Sequence, residues 1–403
     1  MEKLAIDGGT PTRTTPFASW PIAGELELEL LKEVLESGKW GGAAGAAKAG
    51  YEPKLPALER KFAELQDAAY AVSVVNGTVA ITVALQAAGL KPGDEVIVPP
   101  YTFIATASAA LAFGIIPVFA DIEADTLLID PEKIEERITP RTKGIIAVHL
   151  AGAPANMTRL QEIADKHGLA LIEDAAQAVG ATWEGRGVGS IGDIGTFSLQ
   201  SSKNLNAGEG GILTTNNRDY WENAWSICNV GRIPDGGWYQ HERFGQNYRM
   251  TEFQAAIALA QMTRLEEQMG RRERHAALLN ELLDGVKGIR LLRQDPRITR
   301  HAYHLYMFKL DPIVTDKNEF IRRANAEGVP LASGYIPLNR NVSVIETTRM
   351  WTGEDRIYEC PVCESMCEKE AVWLSQNVLL SDEQAVREVA DALHKVSRSF
   401  GGS

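Results

Sequence analysis

The sequence predicts an α/β protein whose sheet is parallel or mostly parallel and covered by helices on both faces. Two observations carry this. Apolar runs of strand length alternate with helical stretches from about residue 56 to residue 173. Chemistry-bearing residues then fall where those strands end: Asn76-Gly77-Thr78, Tyr101-Thr102-Phe103 and Asp174. In open parallel sheets that edge is where ligands bind.

The elements read in order as follows. The chain to about Pro21 is rich in Gly, Thr and Pro and reads as an irregular arm. Glu25 to Ser37 is an amphipathic helix stopped by Gly38. Residues 41–50 are rich in Gly and Ala and read equally as a loop at a site mouth or a plain linker. Pro56 to Leu65 is helical, and Ala69 to Val75 is a strand ending in Asn76-Gly77-Thr78. Helix Val79 to Ala88, strand Glu95 to Pro100 and helix Thr102 to Phe113 come next. Strand Ile116 to Ala120, helix Pro131 to Ile138, strand Gly144 to His149, helix Met157 to His167 and strand Leu169 to Glu173 follow. Ile194 to Phe197 is a further strand. Thr251 to Leu283 reads as one long charged helix leading out of the first unit. Beyond Ile289 we expect a smaller α/β unit, with strands at His304 to Leu310 and Ala371 to Leu374 and a last helix from Ser381 to Val396.

A length of 403 residues exceeds what one core normally serves. We expect an arm at 1–24, a large domain at 25–285 and a small domain at 286–403. The net charge of −12 argues against a phosphate-backbone binder and leaves a local anion site open. No apolar run approaches the roughly 20 residues of a membrane span, and the start lacks a signal peptide's apolar core, so a cytoplasmic protein is expected. Cys360, Cys363 and Cys367 read C-x2-C-x3-C, which invites a metal. No fourth ligand is evident, and the spacing puts the cysteines on more than one face of a helix start. We expect reduced structural thiols and no metal.

Lys203 lies between the strand ending at Phe197 and the turn Gly208-Glu209-Gly210-Gly211. A lone lysine in a polar loop is usually a surface residue. This one is read with Asp174, the carboxylate that closes the buried-strand pattern Leu169-Ala170-Leu171-Ile172-Glu173. A lysine amine and a strand-end carboxylate are what pyridoxal phosphate needs for its aldehyde and its ring nitrogen. Asp174 would otherwise be a helix N-cap, with Gln177 on the first helical turn. Gly77 and Thr78 open a helix, whose free N–H groups make an anion site, and Ser198 can reach the same phosphate. Phe103 is a candidate to stack on the ring; a core aromatic is the competing reading.

With these residues assembled, the chain resembles the DegT/StrS-type sugar aminotransferases. The resemblance runs from Gly8-Gly9-Thr10-Pro11 through Asn76-Gly77-Thr78, Pro100-Tyr101-Thr102-Phe103, Val148-His149-Leu150-Ala151-Gly152 and Glu173-Asp174-Ala175-Ala176-Gln177. It continues through Ser202-Lys203…Gly208-Glu209-Gly210-Gly211 to Gln246-Asn247-Tyr248-Arg249-Met250-Thr251-Glu252. It implies the aspartate-aminotransferase fold, with a seven-stranded sheet and a smaller C-terminal domain. It implies pyridoxal 5′-phosphate as cofactor, bound to Lys203 as a Schiff base. By the same resemblance Asp174 meets the ring nitrogen, Gln177 the ring hydroxyl and Phe103 a ring face. Gly77, Thr78 and Ser198 hold the phosphate, and Asn247 reaches it from a neighbouring subunit, so a homodimer with shared sites is expected.

Gln200 stands where many nucleotide-sugar members carry histidine. Leu199-Gln200-Ser201-Ser202-Lys203 is closer to the branch that acts on carbocycles, the inosose-type cyclitol aminotransferases and the aminohydroxybenzoate synthases. The expected reaction moves an amino group from glutamine or glutamate to a keto-cyclitol, or alternatively to a nucleotide-linked keto-sugar. A dehydrating enzyme and a non-catalytic sensor are the other readings; retention of Lys203, Asp174 and Ser198 speaks against the sensor. Arg249, His304, Tyr335 and Asn339 are candidates for the acceptor side, although each of these residue types serves structure as readily.

Overall fold

Alternation within the buried strands decides how the layers stack. The computed structural model describes residues 2–42, 47–237 and 239–400. Part of the Gly/Ala-rich stretch (43–46) and the chain end (401–403) therefore lie outside the described residues. In chain order, α1 (Glu25–Ser37) and α2 (Lys54–Leu65) precede β1 (Tyr70–Val74), α3 (Gly77–Ala87), β2 (Glu95–Val98), α4 (Ala105–Leu111) and β3 (Ile116–Phe119). Then come β4 (Thr142–Val148), α5 (Met157–His167), β5 (Ala170–Asp174), the short β6 (Thr182–Trp183) and β7 (Arg186–Gly187), β8 (Ile194–Ser198), β9 (Gly211–Thr215) and α6 (Arg218–Cys228). The 32-residue α7 (Glu252–Leu283) leads to β10 (Ile289–Leu291), β11 (Ile298–Arg300), β12 (Leu305–Leu310) and α8 (Lys317–Ala326). The chain closes with α9 (Val342–Thr352), α10 (Pro361–Ser365), β13 (Ala371–Ser375) and α11 (Glu383–Arg398).

The central sheet has seven strands in the order β1-β9-β8-β5-β4-β2-β3. All neighbours from β8 to β3 are parallel, and β9 runs antiparallel to both β1 and β8. Successive side chains of β4 go to opposite faces. Ile146 and Val148 join the core that includes Ala80, Ile81 and Ala84 of α3. Ile145 and Ala147 join Met157, Leu160 and Ile163 of α5. A strand buried on both sides has to be apolar throughout, which is why these strands read as continuous apolar runs.

α7 takes part in two cores. Ala255, Ala258, Leu265 and Met269 pack with Phe62 and Phe197, whereas Ala276, Leu279 and Leu283 pack with Phe308, Phe320, Val372 and Leu393. The second core covers an antiparallel sheet of order β10-β12-β13.

Two expectations are corrected. Residues 131–138 do not form a helix but two separate 3-10 turns, Pro131–Lys133 and Glu135–Arg137. Asp130 caps the first of them, only Pro131 and Ile134 are buried, and Thr139-Pro140 allows no continuation. The helix expected from Thr102 begins only at Ala105, which leaves Thr102 and Phe103 in a loop.

Glu173 ties the sheet to its connections. It has no solvent exposure. Its Oε2 accepts from Gly189 N at 2.8 Å and from His149 Nε2 at 2.9 Å; its Oε1 accepts from Ile191 N at 2.8 Å and Gly192 N at 2.7 Å. His149 Nδ1 accepts from Ala155 N at 3.0 Å, so the ring proton sits on Nε2 and points at the carboxylate. Burial alone would raise Glu173; the His149 bond and the backbone donors outweigh it and hold the group below the ordinary carboxylate value.

Glu173→Gln presents an amide NH2 to groups that only donate. We expect it to lower stability by about 3 kcal/mol or more in denaturant unfolding, against about 0.5 kcal/mol or less for the exposed Glu132→Gln. Equal midpoints for the two variants would remove Glu173 from this role.

Candidate active site

The site forms where β1, β5 and β8 end. β1 runs into Asn76, whose Oδ1 accepts from Val79 N at 2.9 Å and caps α3. That cap leaves the Gly77 and Thr78 N–H groups, which no preceding turn can satisfy, directed to the helix entrance. Ser198, the last residue of β8, lies against this turn. A Cβ on Gly77 would stand 2.7 Å from the Ser198 Cβ, and one on Gly211 would stand 2.4 Å from the Asn76 carbonyl oxygen. Glycine at both positions lets the helix entrance and the two strands close on one another.

The loop after β8 carries Lys203. It is pinned at both ends by Leu199 N to Gly210 O and Ala207 N to Leu199 O, each 2.8 Å, and by the buried Leu199 and Leu205. Asn204 donates to Ala302 O at 2.7 Å and accepts from His304 Nδ1 at 3.3 Å. Lys203 is thus held in place by its neighbours while its own side chain stays in the cavity.

A cavity of about 550 Å³ joins these parts. Gly77, Thr78, Phe103, Asp174, Gln177, Ser198, Lys203, His304 and Tyr335 all line it. Asp174 Oδ2 accepts from Thr106 Oγ1 at 2.8 Å, and Oδ1 accepts from Ala176 N at 3.2 Å. Burial raises Asp174 above the ordinary aspartate value, against the pull of Thr106, the Ala176 N–H and the Lys203 charge. Burial lowers Lys203 to about 8, with Asp174 opposing. Burial and the Lys203 charge also push His304 well below the ordinary histidine value, so its ring is neutral. Gln177 Oε1 accepts from Ala151 N at 2.6 Å while its Nε2 donates to Tyr335 Oη at 2.8 Å.

The other sequence candidates lie elsewhere. Asn339 is buried and donates to Tyr358 O and to Glu364 Oε1, outside the cavity lining. Arg249 and the exposed Asn247 do not line the cavity either. Asp174 does not cap a helix; the residues after it form turns, so Gln177 sits on a turn and not on a first helical turn. Phe103 is 57% exposed, which removes the core-aromatic reading. Sequence reasoning missed Thr106, hidden inside an expected helix, and Glu209 at the cavity rim. The Thr-x3-Thr spacing of Thr102 and Thr106 was the available signal: their hydroxyls lie 3.1 Å apart.

The sequence pattern of the DegT/DnrJ/EryC1/StrS aminotransferase family matches residues 21–394. An L-glutamine:2-deoxy-scyllo-inosose aminotransferase of Streptoalloteichus tenebrarius is 37% identical over 423 aligned positions, covering 99% of this chain and 98% of the relative. The crystal structure of 3-amino-5-hydroxybenzoic acid synthase superposes with a TM-score of 0.85 at 32% identity, covering 96% of this chain and all of that one. DesI, solved in the presence of its TDP-sugar product, gives a TM-score of 0.85 at 28% identity over 99% of this chain and 97% of its own.

The residues present fit pyridoxal phosphate. The Gly77–Ser198 contact leaves a cradle of N–H and hydroxyl groups that a Cβ would fill. Across the cavity, a buried carboxylate raised by burial gains from any cationic ring nitrogen brought to it. The pH dependence follows from Lys203. An amine attacks an aldehyde only when neutral, and burial moves the neutral form of Lys203 down to about pH 8. Covalent capture of pyridoxal phosphate by the cofactor-free chain, followed by absorbance, should rise through about pH 8 and not through the ordinary lysine value of 10.5. In Asp174→Ala the rise should move to lower pH, because the charge that favours the ammonium is gone. A midpoint near 10 in the wild type would contradict the burial argument.

Proposed function

The chain belongs to the DegT/DnrJ/EryC1/StrS aminotransferase family, and from that premise we propose that this pyridoxal-phosphate enzyme moves an amino group from L-glutamine to a ketone on a cyclitol of the scyllo-inosose type. One observation carries the choice of acceptor. Among the described residues, Lys203 is the one lysine or arginine lining the cavity, and it is shared with Asp174 and Glu209. A nucleotide diphosphate needs cations of its own. An uncharged polyol needs neutral hydrogen-bonding groups such as Gln200, Ser202 and Tyr335, which the lining has. The cyclitol enzyme similar to this chain over almost its full length supports the same choice and the glutamine donor.

When bound, pyridoxal phosphate supplies an electron sink for the carbon that carries the amino group. The protein's part is binding and proton control. Gly77, Thr78 and Ser198 hold the phosphate. Asp174 keeps the ring nitrogen protonated, oriented by Thr106 and the Ala176 N–H. Gln177 meets the ring hydroxyl, with Tyr335 and the Ala151 N–H fixing its amide, and Phe103 covers a ring face. Lys203, with its amine free, would take up and return the proton at the substrate carbon. His304, neutral and bonded through Nδ1, keeps a lone pair on Nε2 to accept a hydrogen bond from a substrate hydroxyl.

We further propose a homodimer in which Asn247 of the partner subunit reaches the phosphate. Asn247 is exposed, and Trp40, Tyr239 and Phe244 are exposed aromatics, at 54%, 79% and 76%. A division near residue 285 into a cofactor-holding unit and a smaller one, and a cytoplasmic setting in keeping with four free cysteines, complete the reading.

The acceptor is tested with the enzyme in its pyridoxamine form. Mixed with 2-deoxy-scyllo-inosose, it should regain the absorbance of the lysine-bound cofactor in a single turnover. Return of that absorbance with a TDP-linked keto-sugar and not with the cyclitol would overturn the assignment.

The shared site is tested by subunit exchange. Lys203→Ala and Asn247→Asp proteins should each be inactive, the second because its new carboxylate repels the phosphate. Mixed dimers hold one site with both defects and one with neither, so about a quarter of wild-type activity should return after verified random exchange. Full exchange without recovery would rule out the shared site.

A further inference from the structure

Cys363 and Cys367 take no part in the chemistry above, and their arrangement is specific. The Cys363 Sγ lies 3.8 Å from the Cys367 Sγ, sulfur to sulfur in van der Waals contact. Cys363 is fully buried and Cys367 is half-exposed. The two sit on consecutive turns where α10 passes into a π-helical turn, Met366–Glu370. Such a turn is wider than an α-turn and deforms more readily. The Cys363 side of the pair is fixed. Asp121 accepts from Val362 N at 2.9 Å and Cys363 N at 3.0 Å and anchors the start of α10. Cys360, the third cysteine of the motif, is buried.

The surroundings differ for the two sulfurs. Contact with Cys367 and burial push the Cys363 thiol up. On the other side, the buried Lys317 donates from Nζ to the Cys367 carbonyl oxygen at 2.6 Å. Burial lowers Lys317 to about 8. A half-buried thiol with a second thiol in contact behind it is an arrangement that can close to a disulfide. Among the described residues no group of three His, Cys, Asp or Glu is arranged to hold a metal.

We propose that Cys363 and Cys367 are a redox modification site that closes to a reversible disulfide, with hydroperoxides as oxidant and dithiols as reductant. The sulfurs need to approach by about 1.8 Å to reach bonding distance. Cys367, as thiolate, attacks a peroxide oxygen: an S–O bond forms, the O–O bond breaks, and the departing hydroxide takes a proton and leaves as water. The Cys363 sulfur, giving up its proton, then attacks the Cys367 sulfur: the S–S bond forms, the S–O bond breaks, and the second oxygen leaves as water. The two thiols lose two electrons and two protons in total, and one hydrogen peroxide becomes two waters. The pair also has a route to the active site. The buried Tyr101 feels the charges of both sulfurs, and its ring meets Tyr335 edge-on at 5.6 Å. Tyr335 lines the cavity.

The test uses the folded holoenzyme, a few molar equivalents of hydrogen peroxide, rapid alkylation and peptide mass spectrometry. The peptide Ile357 to Lys369 should become lighter by two hydrogens, with Cys360 alkylated and backbone fragments missing between Cys363 and Cys367. Dithiothreitol should reverse the change. Cys360→Ser should form the same link, and Cys363→Ser should instead gain oxygen on Cys367. A link through Cys360 overturns the proposal. So does conversion of wild-type Cys367 to sulfinic acid without a link, or an unreacted pair under conditions that oxidise the denatured chain. The mass readout on wild-type protein stands whether or not the variants fold.

Discussion

A carboxylate without solvent contact closes the middle of the central sheet, and the geometry around the cavity depends on keeping it charged. Glu173 takes four N–H donors, one from His149 and three from the turn between β7 and β8. Each donor comes from a segment that has to arrive at a set place for the bond to form. His149 is the residue at the end of β4, and its other nitrogen holds the Ala155 N–H, so the connection into α5 is fixed as well. An unmet charge at this depth would cost several kcal/mol, so the segments are held together more firmly than apolar contact alone would hold them.

The next residue along the chain shows the opposite solution. Strand alternation turns Asp174 to the other face of β5. It receives one hydroxyl and one long backbone bond where Glu173 receives four good ones. The two neighbours are displaced in opposite directions, Glu173 below its ordinary value and Asp174 above. Glu173 is complete in the folded chain, whereas Asp174 gains from a further cation. That difference separates a carboxylate serving the fold from one left for chemistry, and it could be judged only once hydrogen-bond partners were known. In the sequence Asp174 stands out by closing the strand pattern; only the hydrogen bonds show that Glu173 is already satisfied.

The same limit explains which parts of the fold were legible beforehand. α1 and α5 match their expected bounds because each has an amphipathic pattern and a glycine in the left-handed region at its end, Gly38 and Gly168. The parallel strands were legible because burial on both faces leaves only apolar residues. Residues 131–138 were misread because their charges suit a helix surface while Asp130 and Pro140 favour short turns. Residues 102–104 were misread because a loop that lines a cavity can be as apolar as a helix. Thr106 and Glu209 were missed for a related reason: their value lies in what they face across the fold. Asn339 erred the other way, since a polar residue near an expected site is read as functional until its amide is found bonded to Tyr358 and Glu364.

A bond between Gln177 and Tyr335 closes part of the cavity wall. Gln177 comes from the turn after β5 and Tyr335 from the segment before α9, and their side chains meet at 2.8 Å. Gln177 also takes the Ala151 N–H, and Ala151 has a positive φ of 57° that an alanine adopts only under constraint. The carbonyl of Ala151 in turn accepts from His304 N at 2.8 Å, just before β12 begins. One glutamine therefore joins the strand-end turn and a strained backbone position to Tyr335, and through Ala151 to His304 at the start of β12. His304 directly precedes β12, whereas Tyr335 packs on Trp373 of β13 with ring centroids 4.7 Å apart. A change at Tyr335 or His304 therefore alters one part of the cavity wall while Gly77, Ser198 and Asp174 stay where the central sheet holds them.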